Sequence, residues 1–164
     1  MLEYFIKYQL DIMLALSSVC GTIALLVIVA KAMPLSRRLT LLFLEISAMM
    51  LLFSDRLTYI YNGDITPFGF TMNRVSTFLN FLFTDIIVLA FNLYLIDLYI
   101  NDGKMEKAPK RIQLSIAIML VGCLLCVIGA STGLYCTFDD ANVYSRGQLY
   151  ILSYLCPFGV PLIQ

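Results

Sequence analysis

The stretch Arg74–Ile100, RVSTFLNFLFTDIIVLAFNLYLIDLYI, decides how the rest of the chain is read. It is almost continuously apolar, opens on a basic residue, and carries two acids: Asp85 close to its middle and Asp97 near its end. As a helix rising about 1.5 Å per residue it crosses a hydrocarbon core of roughly 30 Å with length to spare. A carboxylate at that depth is costly unless it is paired, hydrated or protonated, so Asp85 is the first candidate for function.

The rest of the chain has the same character. Hydrophobic residues make up 60% of it, charged residues only 13%, and the mean hydropathy is +0.87. A water-soluble domain of 164 residues needs more polar surface than that, so composition selects a membrane class. The net charge of zero argues against a nucleic-acid partner, which would require a basic face. Histidine is absent, which removes the commonest metal ligand and the commonest general base. Five cysteines are present, Cys20, Cys123, Cys126, Cys136 and Cys156, and four of them fall inside apolar segments, which argues against a disulfide framework. Cys123 and Cys126 have redox or metal spacing but no second ligand pair, and they read as packing residues. With no nucleophile–base pair, metal-ligand set or phosphate loop, neither an enzyme nor a cofactor or metal site is expected in this segment.

Four further apolar segments accompany the first. The expected spans are 12–30, 39–61, 74–100, 114–135 and 147–163, forming one all-α, polytopic transmembrane bundle over residues 1–164. The opening MLEYFIKYQLD has neither the positive start nor the cleavage site of a secretory signal, so the first span is read as uncleaved. Seven of the eleven Lys and Arg lie in two loops, at Lys31, Arg37, Arg38, Lys104, Lys107, Lys110 and Arg111. The positive-inside rule then places the N-terminus outside and both loops in the cytoplasm. Tyr59, Tyr61, Phe68, Phe70, Tyr135, Phe138 and Tyr144 would form an aromatic belt at the outer boundary. The last span reaches Gln164 with no flanking basic residue, so a fragment of a longer protein is expected.

Candidate site residues follow from helical phase. Arg74, Asp85 and Asn92 are separated by eleven and seven residues, which returns each to within about 20° of one face. An Arg56–Asp85 or Arg74–Asp55 pair facing the bundle interior is geometrically feasible. The functional reading is an outward-open pocket of Asp85, Arg56, Arg74 and Asn92 that binds an unidentified small ligand or senses protonation. The structural reading is a buried ion pair that fixes helix packing. Gly122, Cys126, Gly129 and Gly133 line one side of the fourth span, a seam for packing within the bundle ahead of a homodimer contact. Pro157 and Pro161, with Gly159 between them, predict a kinked or broken last helix.

Several segments together resemble a known group: MLEYFIKYQLDIM, RRLTLLFLEISAMMLLFSDRLTYIYNGD, AFNLYLIDLYIND followed by KAPKR, and TGLYCTFDDANVYSRG. They are similar to the N-terminal membrane region of Firmicutes (Clostridia-type) signalling proteins. In that group the helical region precedes a cytoplasmic output domain, often a GGDEF-type diguanylate cyclase and sometimes a histidine kinase-like ATPase. No Gly-Gly-Asp-Glu-Phe motif or ATP-binding signature occurs here, so none of the group's catalytic residues maps onto this sequence. The resemblance implies a sensory or anchoring module in a bacterial cytoplasmic membrane. A small-solute or ion transporter fragment is the alternative. It rests on the intramembrane charges, the prolines of the last span, and a weak echo of Lys31-Ala32 to Arg38 in Lys107-Ala108 to Arg111.

Overall fold

Proline marks the starts of three helices, and glycine the end of one. Pro34 precedes α2 (Leu35–Tyr61) and Pro109 precedes α4 (Lys110–Thr132). Each supplies an extended residue that stops the preceding loop from winding into the helix. Thr66-Pro67 opens α3 (Pro67–Asn101): the Thr66 hydroxyl accepts from the Gly69 amide at 3.0 Å, and Pro67 occupies the first turn, where no amide is needed. Gly133 ends α4 in the left-handed conformation, at φ 70°. The remaining helices are α1 (Leu2–Val29) and α5 (Tyr150–Ile163). Between α4 and α5 lies a short antiparallel hairpin of β1 (Cys136–Phe138) and β2 (Tyr144–Arg146), with Cys136 opposite Arg146.

The computed structural model describes residues 2–103 and 107–163. Lys104, one of the residues used to orient the chain, lies outside them. Successive helices run antiparallel. Ser17 on α1 reaches the Met49 carbonyl on α2 at 3.4 Å, while Thr58–Ser76 and Asp55–Asn80 tie α2 to α3 in antiparallel register. Helix α3 is central and touches α2, α4 and α5, whereas α1 packs on α2.

The protein is polar inside and apolar outside. Buried side chains include Ser47, Ser54, Asn73, Ser76, Asp85, Asn92 and Asp97, while Leu25, Leu26, Leu124, Ile151 and Phe158 are more than 60% exposed. Lipid tails reward this arrangement, because leucine gains nothing by leaving them and a polar group gains a partner by turning inward. On α4 the division follows helical spacing: Ile112, Ser115, Met119, Gly122, Cys126 and Gly129 are buried, and Leu120, Val121, Leu124 and Val127 face out.

The fold is therefore all-α with one hairpin, and three of its helices are long and apolar enough to cross a membrane: Tyr8–Val29, Pro67–Asn101 and Lys110–Ala130. This is fewer than the five spans expected. Every eighteen-residue stretch of α2 carries three charged side chains from the set Arg37, Arg38, Glu45, Asp55 and Arg56. Helix α5 has 14 residues, about 21 Å, which is short of a hydrocarbon core. Of the kink or break expected there, the break does not occur: the helical backbone continues through both Pro157 and Pro161. Helix α3 begins at Pro67, seven residues before the expected start, and the hairpin fills the interval between the fourth and fifth expected spans.

Candidate functional site

Asp85 is 1% exposed and faces α4 and α5. Its Oδ2 accepts from the Cys126 thiol at 3.1 Å, while Oδ1 is buried with no hydrogen-bond partner. A Cβ added at Gly122 would stand 3.3 Å from Asp85 Oδ2 and 3.2 Å from Cys156 Cβ, so glycine is what lets α4 approach here. The surrounding crevice, lined also by Leu125, Tyr135, Leu152 and Ser153, leaves no room for a water-sized sphere. Asp85 is thus held dry and close-packed.

The four residues expected to form one pocket are not brought together. Neither the Arg56–Asp85 nor the Arg74–Asp55 pair forms. The reason is helical phase: the face of α3 that meets α2 carries Ser76 and Asn80, and Asp85 lies 140° around the helix from Asn80. Arg56 has its Nε buried without a hydrogen-bond partner. Arg74 does share a stripe with Asp85 but sits eleven residues along it, about 16 Å away. There its guanidinium lies 5.7 Å from the Phe70 ring and 5.8 Å from the Phe138 ring, beside an open cavity of about 420 Å³. Asn92 is fully buried and donates to the Val88 carbonyl at 2.8 Å.

The glycine and cysteine residues of α4 divide among different tasks. Gly122 and Cys126 meet Asp85 and α5, Gly129 lies under the Tyr135 ring, and Gly133 terminates the helix. Tyr135 is 4% exposed, so it belongs to the core with Phe81, Cys126 and Cys136 and is no part of an interfacial belt.

Three features were missed in the sequence. The first is Asn142, fully buried at the hairpin tip with φ 58°. Its side-chain amide donates to the carbonyls of Asp64 (2.8 Å) and Tyr61 (3.2 Å), its backbone carbonyl accepts from Asn73 Nδ2 (2.8 Å) and the Gly63 amide (3.0 Å), and Asn62 Oδ1 accepts from the Tyr144 amide (2.9 Å). One asparagine therefore locks the hairpin to the α2–α3 loop and to the first turns of α3. Asparagine tolerates this backbone region better than most residues, which was the available signal.

The second is a clasp at the opposite end. Asp97, near the end of the expected third span, is 5% exposed. It accepts from Ser36, from Arg37 Nε at 3.3 Å and from Asn101 at 2.8 Å, and Arg37 also reaches Asp102 at 2.7 Å.

The third is a cavity of about 260 Å³ near the hairpin. Asp55, Thr58 and Tyr59 of α2 form one wall and Thr77, Asn80 and Phe81 of α3 its floor. Tyr144 and Arg146 of β2, with Tyr150 and Tyr154 of α5, close the other side. Asn80 donates to Asp55 Oδ1 at 3.0 Å, and the Arg146 guanidinium stacks on the Tyr150 ring at 4.8 Å. Burial pushes the Tyr144 hydroxyl and the neighbouring Cys136 thiol above their ordinary pKa ranges, so both stay protonated at neutral pH.

Among the described residues no group of three His, Cys, Asp or Glu side chains converges so that it could hold a metal ion. Comparison with family models, with curated proteins and with solved structures returns no match.

Proposed function

We propose that this chain is a membrane-embedded sensory and anchoring module of a bacterial signalling protein, relaying an outer signal to a cytoplasmic output domain such as a diguanylate cyclase. In this reading the N-terminus and the hairpin face outward, the basic loops face the cytoplasm, and all five helices lie within the bilayer. Helices α2 and α5 do so in the shelter of their neighbours, with Asp55 turned to Asn80 and Arg37 to Asp97. The observation that carries the reading is α3 itself. It is 35 residues long and is fastened at one end to the hairpin through Asn73 and Asn142, and at the other to the start of α2 through Asp97. A single rigid element held at both ends can pass a change at one end to the other, provided two packing arrangements exist for a signal to choose between. The segment resemblance to Clostridia-type signalling proteins supports the same role.

Asp85, wedged dry between α3, α4 and α5, is where such a rearrangement would be felt. In cells carrying the intact gene, Asp85→Asn preserves insertion but changes output several-fold. Unchanged output contradicts the reading. The second reading, transport of a small solute, is favoured by one observation, the cavity at Asp55. Accumulation of labelled solute inside proteoliposomes, driven by an ion gradient, would decide for it.

A further inference from the structure

We propose that the cavity between α2, β2 and α5 is a binding site for a small zwitterion of the amino-acid class. The proposal rests on the sensory reading for its purpose but on separate residues for its chemistry. The cavity holds one carboxylate, Asp55, and one guanidinium, Arg146, yet no ion pair joins them. Asp55 is half-buried and Arg146 exposed, and opposite charges lining one space attract each other, most strongly where water is scarce. Here each is held by a different neighbour: Asp55 by Asn80, Arg146 by the face of Tyr150.

A zwitterion completes this arrangement. Its ammonium would meet Asp55 and its carboxylate Arg146, and it would bring no net charge into the boundary region, unlike a simple cation or anion. Arginine is suited to the anionic end because its planar donors match a carboxylate. Phe81 and the Tyr154 ring offer an apolar wall for the body of the ligand, and tyrosine faces attract ammonium groups as well. The volume, about 260 Å³, is below that of drug-sized pockets and fits a molecule of amino-acid size.

An independent observation points to an occupant. Thr77 is 3% exposed, lines the cavity, and its Oγ1 has no hydrogen-bond partner. Most helical hydroxyls in this protein bond back to their own helix, as those of Thr71 and Thr84 do on α3. A buried hydroxyl left without a partner is costly, and a ligand's polar end would satisfy it on a turn of the Thr77 side chain toward the cavity, since Oγ1 is itself closed to solvent.

The test uses the full chain in lipid nanodiscs with tritiated L-leucine and L-phenylalanine as probes. Leucinamide, which lacks the carboxylate, and 4-methylpentanoate, which lacks the ammonium, serve as competitors. The proposal expects saturable binding of at least one probe, with both single-charge competitors at least tenfold weaker than the parent zwitterion. Asp55→Asn is expected to weaken leucine at least tenfold and to abolish the preference for leucine over 4-methylpentanoate. Arg146→Gln is expected to abolish the preference over leucinamide instead. A purely structural role for either residue would weaken all ligands alike. No saturable binding at millimolar concentration, or equal binding of the single-charge analogues to the unaltered chain, overturns the proposal whether or not the variants fold. Zwitterion binding without any change in cellular output would retire the sensory reading and leave the site standing.

Discussion

At the scale of single residues, the protein depends on a few buried polar side chains that each serve several partners. Asn142 is the clearest. Replacing it with alanine removes the donor to the Asp64 carbonyl, leaves the Tyr61 carbonyl with the Asp64 amide alone, and imposes the left-handed backbone on a residue that disfavours it, at a cost of about 3 kcal/mol. Asn142→Gly relieves the backbone but still loses the side-chain bonds, so thermal unfolding in nanodiscs should rank the wild type above glycine and glycine above alanine. Gly122 is limited by space, with Asp85 and Cys156 already at contact distance from any added Cβ. Gly122→Leu should therefore destabilise by about 1–3 kcal/mol, the usual cost of overpacking, and the same unfolding assay measures it. Cys136 gives a chemical test. Its buried thiol titrates above the usual range, so the thiolate that reacts with maleimide is scarce near pH 8 and grows as pH rises. Peptide-level labelling should be at least tenfold slower at Cys136 in the folded chain than in the same chain in denaturant, and equal rates would contradict its burial.

At the scale of elements, the helices were legible because apolar run length, proline position and cap residues act locally. Pro34, Pro109 and the Thr66-Pro67 pair each mark a helix start, and the Thr66 cap sets the start of α3 seven residues ahead of Arg74, where the apolar run begins. Partnerships were less legible. Helical phase put Arg74, Asp85 and Asn92 on one stripe, but phase names a face and not the neighbour it meets; Asp85 found Cys126 because Gly122 lets α4 come close. The hairpin left almost no trace in the sequence, since three-residue strands are too short for a period-two pattern and their register depends on Asn142 docking 69 residues away on Asn73. The Arg37–Asp97 clasp makes a comparative prediction. Asp97 is buried and serves three donors, whereas the Asp102 side chain is 56% exposed and serves one. Asp97→Ala should lower the unfolding midpoint clearly more than Asp102→Ala, and only the Asp102 effect should shrink in high salt.

At the scale of the whole molecule, the inside-out distribution of polarity is the feature composition foretold and the fold displays. Tyr144, expected in an interfacial belt, lines a cavity with Asp55 and Arg146, because β2 packs over α2, α3 and α5; Tyr59 borders the same cavity from α2 but stays 45% exposed. Orientation is tested by reporter fusions. A reporter active only outside the cytoplasm should be silent when inserted after Met33 and active when inserted at Asp140, and the opposite pattern would invert the topology.

The central claim is that α3 couples the hairpin end of the bundle to the Arg37 end. Hydrogen exchange of the intact chain in nanodiscs, read by mass spectrometry for the wild type and for Asn142→Ala, tests it most directly. Faster exchange is expected both around residues 62–66, where Asn142 docks, and around residues 95–103, at the far end of α3. Faster exchange confined to the hairpin end, with 95–103 unchanged, would contradict it.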